Sequence, residues 1–396
     1  MPYVDPGNDR LERFRLLRAR LDPAGDPARA RLEGLYVRPV QSVSSRLAGE
    51  LALAPASTHM VIGGVGSGKT TELLEACHQI GQLADTQAIY VDVTRRHDVG
   101  KFVSGAVAVQ VGLAFDERLQ SIGVLHEDAQ YLRNLANGYW GENEPDESWG
   151  MVHVPGILVS PEPRLDDDVR QALKLTKSLL DALRVQWKHV VVLLDGLDRM
   201  TDMGAFEQIL EHDVKALTAL GVGVVLAGPL KSLYGIARTI ADRFGRVYYQ
   251  PWIDLASGAE AGVFVAGVLR RRLPEDVVDQ ACLDTLVKAS GGVLRDLLAL
   301  AQLACIEAYL DGSDVVGAKE VASAIDAFGR NLMQGLRAEE IDVLRRVREK
   351  GAFVQTSEDD LALLMTRRVL EYRDNGRPRY AVHPTIEGFL GELSGS

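Results

Sequence analysis

Residues 60–71 read MVIGGVGSGKTT, and no other stretch of the chain constrains the fold so tightly. Gly63, Gly68, Lys69 and Thr70 satisfy the pattern GxxxxGK[ST]. The apolar run His59 to Ile62 precedes the glycines and TELLEACHQI follows, so the spacing predicts a strand, a loop and a helix in that order. Glycines suit such a loop because successive backbone N–H groups must curl around an anion with no Cβ in the way, and the helix N-terminus adds its own unpaired amides. On this reading Gly63, Gly64, Val65, Gly66, Ser67, Gly68, Lys69, Thr70 and Thr71 contact a nucleotide. Lys69 reaches the β and γ phosphates and Thr70 offers its hydroxyl to Mg²⁺.

A phosphate loop of this kind needs a carboxylate at the end of a neighbouring buried strand, where it can hold the metal. HVVVLLDGLDRM, residues 189–200, supplies one. Asp195 closes its apolar run and is assigned to Mg²⁺ through water, because that ion dehydrates reluctantly. Asp198 has two readings: it orients or deprotonates the attacking water, or it caps the next helix. No [NT]KxD guanine-reading sequence occurs, so ATP is the expected nucleotide.

Around these motifs, β-rich apolar runs (59–62, 88–93, 190–194, 222–227 and 247–250) alternate with helical patterns. They predict an α/β fold with a parallel sheet covered by helices on both faces. After Pro251 the β signal stops, and residues 257–330 read as helices only. From 337 onward two helices (338–349 and 358–365) lead into a hairpin about Asp374-Asn375-Gly376 and a closing helix, a winged-helix pattern. At the other end, Leu11, Phe14, Leu17 and Leu21 share one helical face, with Asp9 and Glu12 spaced like a capping box. This basic arm is expected to lie on the chain's own core in preference to a membrane or nucleic acid, and the segment 22–31 reads as a linker.

Composition narrows the function classes. With 44 Lys and Arg against 55 Asp and Glu the net charge is −11, so contact with a polyanion has to be local. Cys77, Cys282 and Cys305 are far apart in sequence, which excludes a CxxC site or a disulfide framework and implies a reducing, cytoplasmic setting. No run reaches the ~18 apolar residues of a membrane span, and no secretory leader pattern is evident.

Taken together, GGVGSGKTT, LLDGLDR, the strand VGVVLAGPL, the pair Arg243-Phe244 and SGGVLRDLLALAQLA resemble AAA+ ATPases. More narrowly they resemble the STAND group and the related initiator and transposition-helper ATPases. DGLDR is similar to NACHT and KAP proteins, and GGVLRD with a trailing winged helix is similar to the initiator branch. The resemblance implies a P-loop NTPase core of ASCE type, a helical lid and a C-terminal winged helix. The corresponding domains are an N-terminal basic arm and linker (1–35), the core (36–255, with an insertion at about 124–165), the lid (256–334) and the winged helix (335–396). It further implies that Arg295 reaches the phosphates from the lid and that Arg243, or else Arg246, is the finger lent to a neighbouring subunit of a homo-oligomer. Tyr36, Val37 and Arg38 would wrap the adenine.

Two departures from the family pattern point to slow hydrolysis. Gly196 stands where a catalytic glutamate is usual, and Gly228-Pro229 stands where a polar residue senses the γ-phosphate, with Lys231 or Ser232 as substitutes. Such proteins serve as signalling switches, including in bacterial defence against phage. With no effector domain evident, output would pass to a partner protein. The rivals are a DNA-associated initiator or transposition helper, a scaffold that holds nucleotide without turnover, and a small-molecule kinase. Arg367, Arg368, Arg373, Arg377 and Arg379 on the hairpin leave DNA contact open. Glu358, Asp359 and Asp360 on the second helix weigh toward protein or intramolecular docking. The insertion's Tyr139, Trp140 and Trp149 have two readings, a self-packed segment or a partner site.

Overall fold

The computed structural model describes residues 8–39, 42–95, 99, 102, 104–126, 129–136, 165–234, 240–354, 358–374 and 377–392. The insertion aromatics Tyr139, Trp140 and Trp149, the turn residues Asn375 and Gly376, and the side chains of Glu358 and Asp359 lie outside the described residues.

Two helices, α1 (Asn8–Arg20) and α2 (Pro27–Leu32), open the described chain, followed by α3 (Val43–Leu53). An alternating segment then gives β1 (Thr58–Ile62), α4 (Lys69–Ile80), β2 (Thr86–Asp92), α5 (Ala106–Ser121), α6 (Ala129–Ala136), α7 (Leu165–Leu183) and β3 (His189–Asp195). It continues through α8 (Met203–Ile209), α9 (Lys215–Ala219), β4 (Gly223–Gly228) and β5 (Arg246–Tyr249). Four helices follow, α10 (Ala259–Arg270), α11 (Gln280–Ala289), α12 (Leu294–Leu310) and α13 (Ala318–Met333). The chain then forms α14 (Ala338–Lys350), α15 (Glu358–Met365), the hairpin strands β6 (Val369–Asp374) and β7 (Arg377–Val382), and α16 (Pro384–Glu392).

By internal contacts the chain divides into two compact units. The first holds Val43–Ile62 and Lys69–Tyr249, and the second holds Met1–Ser42, Gly63–Gly68 and Gln250–Ser396.

In the first unit all five strands are parallel, in the order β2-β3-β4-β1-β5. β1, from which the phosphate loop departs, is separated from β3, which ends in Asp195, by β4. This order, with the glycine loop after β1, defines the α/β P-loop NTPase fold of ASCE type. The continuous VVVLL of β3 has a simple cause: Val191 and Leu193 pack with Leu47, Leu51, Leu73 and Ile80 of α3 and α4, while Val190, Val192 and Leu194 are buried on the opposite face. A strand covered on both sides shows no alternation. Between α8 and α9 the helix widens into a π turn at Leu210–Val214, which carries the buried Asp213.

The second unit is helical apart from its hairpin. Phe14 and Leu17 of α1, with Leu21 just after it, join Leu269, Leu283, Leu297 and Leu300 in one core. Arg10 fastens that helix, donating to Asp314 and to the carbonyls of Ala308, Tyr309 and Ser313. The helix already begins at Asn8, so Asp9 lies in its first turn and is not the N-cap that the expected capping box needs, and Glu12 accepts from Arg15 at 2.9 Å. The expected linker 22–31 also differs, because it contains the start of α2. Asp26 accepts from the Ala28 N–H and Pro27 takes the first helical position, where its missing N–H costs nothing. At the C-terminal end the antiparallel register Val369↔Val382 through Asp374↔Arg377 leaves two residues for the turn.

Candidate nucleotide site

Within the first unit, α4 begins at Lys69, so the ammonium and the Thr70 hydroxyl stand on its first turn. Lys69 is buried, and its Nζ lies 2.9 Å from Oδ2 of Asp198. Asp198 sits in the 3₁₀ turn Leu197–Arg199 that follows β3. It does not cap the next helix: Asp202 does, accepting from the N–H groups of Gly204 and Ala205. Gly196 opens the turn with φ 96°, and a Cβ there would meet Thr94 Cγ2 at 2.4 Å, so the close approach of two strand ends requires glycine.

Asp195 is only 6% exposed and its hydrogen-bond partners are neutral. The Tyr90 hydroxyl donates to Oδ2 at 2.8 Å, the Gly196 N–H donates to Oδ1 at 2.9 Å, and the Thr70 hydroxyl is a third partner. Burial pushes its carboxyl upward, the Thr70 bond opposes this, and the nearby Asp198 charge adds to the rise. Burial and the Asp195 charge likewise push the Tyr90 phenol far up, so it remains a donor. A carboxylate and a hydroxyl, hydrogen-bonded to each other where the carboxylate's charge is poorly solvated, form a donor set that suits Mg²⁺, which keeps water in its other positions. Tyr90 was not foreseen. The period-2 pattern of β2, which pairs Asp92 with Asp195, held the only signal for it.

The loop 63–68 is described with the second unit, where its outer face is packed by the segment after β5. A Cβ on Gly64 would come within 2.0 Å of the Trp252 ring, and one on Gly63 within 2.2 Å of the Gln250 carbonyl oxygen. Gly66 (φ 81°) and Gly68 (φ 94°) take left-handed conformations, and a Cβ on Gly66 would meet Arg295 Cβ at 2.7 Å. The Trp252 indole donates to the Val65 carbonyl at 3.0 Å, and Gln250 Nε2 donates to the Ser67 carbonyl at 3.3 Å. Ser67 is 2% exposed, and its hydroxyl has no protein partner. A buried, unsatisfied hydroxyl in a loop whose Gly63, Gly64 and Gly66 leave no space for a Cβ fits a phosphate oxygen.

Arg295 is the second residue of α12, after the Gly291-Gly292 turn. Val37 packs on the core of α10 to α12, while Arg271 and Arg272 donate to the carbonyls of Gly34 and Leu35 just before Tyr36 and Arg38. Arg243, in the first unit, is held by Glu207 at 2.6 Å and by Glu211, and Arg246 pairs with Glu50. Past β4, the Ser232 hydroxyl donates to the Pro229 carbonyl at 2.6 Å, so its proton is committed within its own turn.

Four of the five hairpin arginines are engaged within the second unit. Arg367 Nε donates to Asp296 at 2.8 Å, and Arg368 donates to the carbonyls of Leu332 and Gln334. Arg373 pairs with Glu371 at 2.5 Å, and Arg379 Nε donates to Asp254 at 2.9 Å while its guanidinium lies 4.5 Å over the Tyr372 ring. Among the described residues no helix is long and apolar enough to cross a membrane.

The fold and the loop together define the class, an α/β protein of the P-loop NTPase type. No protein-family model matches the chain, and no curated protein does. Solved structures similar to it include the RuvB Holliday junction branch migration motor of Thermotoga maritima, at 13% identity over 91% of this chain and 98% of that one, with a TM-score of 0.43. The Aeropyrum pernix Orc1 protein in complex with DNA is 16% identical over 95% and 96%, with a TM-score of 0.46. Cdc6p from Pyrobaculum aerophilum is 14% identical over 99% and 96%, with a TM-score of 0.41. Similarity at this level bears on neither activity nor partner, and the assignment of class rests on the strand order and the loop.

Proposed function

We propose that this chain is an ATP-binding and slowly hydrolysing ATPase of the AAA+ kind, working as a STAND-type switch in the cytoplasm. The observation that carries the reading is the loop itself: a left-handed glycine path, an unsatisfied buried Ser67 hydroxyl, and Lys69 and Thr70 directly following. The amides of the loop and the Lys69 ammonium bind the phosphates, and Thr70 with Asp195 would hold Mg²⁺. The bound metal supplies charge neutralisation on the phosphate oxygens. Lys69, paired with Asp198 at 2.9 Å, is the group for which incoming phosphates compete. Once released, the Asp198 carboxylate is the base that orients the attacking water. Gly196 in place of a glutamate, and Ser232 committed to its own turn, support a low rate.

On this reading the nucleotide acts as a conformational signal, with Arg295 reporting the phosphates to α12 and the hairpin that grips its N-terminal end. Assembly through Arg243 requires exchanging its carboxylate partners for a neighbour's phosphates. A partner effector protein receives the output, as in a defence switch. Four of the five hairpin arginines are spent on internal contacts, which favours intramolecular docking over DNA as the hairpin's role. Calorimetry with MgATP and MgADP tests the proposal. Native protein takes up both, and Lys69→Ala weakens uptake about a hundredfold, the scale of an unmade charged contact of about 3 kcal/mol. No uptake by the native chain, or uptake unaltered in Lys69→Ala, overturns it.

A further inference from the structure

A loop whose N–H groups converge on an anion turns carbonyl oxygens outward, and buried outward carbonyls need donors of their own. Here the segment Gln250-Pro251-Trp252 supplies them. Trp252 Nε1 donates to the Val65 carbonyl at 3.0 Å, and Gln250 Nε2 donates to the Ser67 carbonyl at 3.3 Å. Both accepting residues belong to the phosphate loop. Trp252 is 1% exposed, and its ring lies where a Cβ on Gly64 would fall, so indole and loop are in close contact. Pro251 between the two donors limits the backbone freedom of the segment.

We infer that Gln250 and Trp252 are positioning residues for the nucleotide: they pin the outer face of the loop so that its amides and the Ser67 hydroxyl stay turned toward the phosphates. The inference rests on the nucleotide reading above and adds what sets its affinity. The loop is preorganised by side chains far along the chain, so less conformational freedom is lost when the ligand arrives. The rear of the same segment is anchored as well, because Asp254 receives Arg379 from β7 and the Ile253 N–H donates to the Gly292 carbonyl at 3.3 Å.

Trp252→Phe keeps an aromatic ring and removes the donor, and Gln250→Met keeps length and removes the amide. Measured by calorimetry on the full chain with MgADP, Trp252→Phe is expected to weaken binding about tenfold, the equivalent of one hydrogen bond at about 1.4 kcal/mol, and Gln250→Met about threefold. Trp252→Phe, which shrinks a buried ring, should also lower the melting temperature without nucleotide by a few degrees, and a purely structural role would show that fall alone and leave the affinity of the folded protein unaltered. Trp252 is one of four tryptophans. A variant with Trp140, Trp149 and Trp187 all changed to Phe therefore gives a second readout, and its emission should be that of a buried indole both without and with MgADP. If native protein binds MgADP while both substitutions bind equally well, the positioning role is wrong and the nucleotide reading stands. If the single-tryptophan protein emits like a solvent-exposed indole with MgADP bound, the positioning role is equally overturned. If native protein binds no nucleotide, both fall together.

Discussion

Two buried carboxylates in this molecule are satisfied in opposite ways. Asp195, 6% exposed at the end of β3, is surrounded by the hydroxyls of Thr70 and Tyr90 and the amide of Gly196. Asp296, 1% exposed in the first turn of α12, receives the Arg367 guanidinium at 2.8 Å and has His383 Nε2 at 3.4 Å. Neutral donors solvate a charge without cancelling it, so Asp195 gains from a cation that arrives from outside. Asp296 carries its cation already, and that pair ties α12 to the C-terminal hairpin. The same residue type is thus left without a cation in one unit and spent on structure in the other.

Neutralising each carboxylate separates the two roles, and this gives the largest expected effect. Asp296→Ala removes the carboxylate that the half-buried Arg367 guanidinium and the buried His383 ring both face, and should cost about 3 kcal/mol in urea unfolding. Asp195→Asn should leave stability unchanged or slightly raised, because it removes a buried charge with no cationic partner, while on the proposed function phosphate release from MgATP falls about a hundredfold or more. Equal destabilisation by the two substitutions would sink the comparison.

Arg367 sharpens it further. It is the one non-glycine residue with positive φ among the described residues, at 65° after α15, a conformation that costs a long side chain about 1 kcal/mol. Its pairing with Asp296 offsets that strain. Arg367→Ala loses the pair and keeps the strain, whereas Arg367→Gly loses the pair and relieves it. The glycine variant should be the more stable of the two by about 1 kcal/mol in thermal melts, less the entropy glycine adds to the unfolded chain. If alanine proves the more stable, the strain argument fails.

The first unit was largely legible because its signals are local. A glycine loop after an apolar run, and an acid after VVVLL, need only a few neighbouring residues to be read, and the five β runs fall within one or two residues of the strands. The partners of those residues were not legible. Trp252 follows a strand end like any core aromatic, and nothing near it in sequence reveals that its indole reaches Val65. Tyr90 was readable only as one position of an apolar strand, although its hydroxyl meets a residue at the end of the next strand, more than a hundred residues on. The basic cluster on the hairpin pointed toward a polyanion, because its carboxylate partners Asp254 and Asp296 lie more than seventy residues earlier in the chain. The helix α2 was hidden by length: six residues give too little periodicity, and only the Asp-Pro pair marks its start.

A third buried carboxylate, Asp213 in the π turn after α8, tests whether neutral donors alone hold a charge poorly. It accepts from the Gly105 N–H at 2.9 Å and the Ala108 N–H at 2.8 Å at the start of α5. Burial raises its pKa from 3.8 to about 6, against the lowering effect of those two amides. A folded pKa above the unfolded one means that the folded state holds the proton more tightly. The stability it contributes is therefore complete below about pH 4 and lost as the pH rises through about 6. Asp213→Asn, which cannot titrate, removes this dependence. The stability difference between native and Asp213→Asn should then favour the native chain by about 1 kcal/mol more at pH 5 than at pH 7.5. A difference that is flat, or that grows with pH, would mean that the two α5 amides stabilise the carboxylate fully. Neutral donors would then suffice for a buried charge, and the contrast between Asp195 and Asp296 would lose its physical basis.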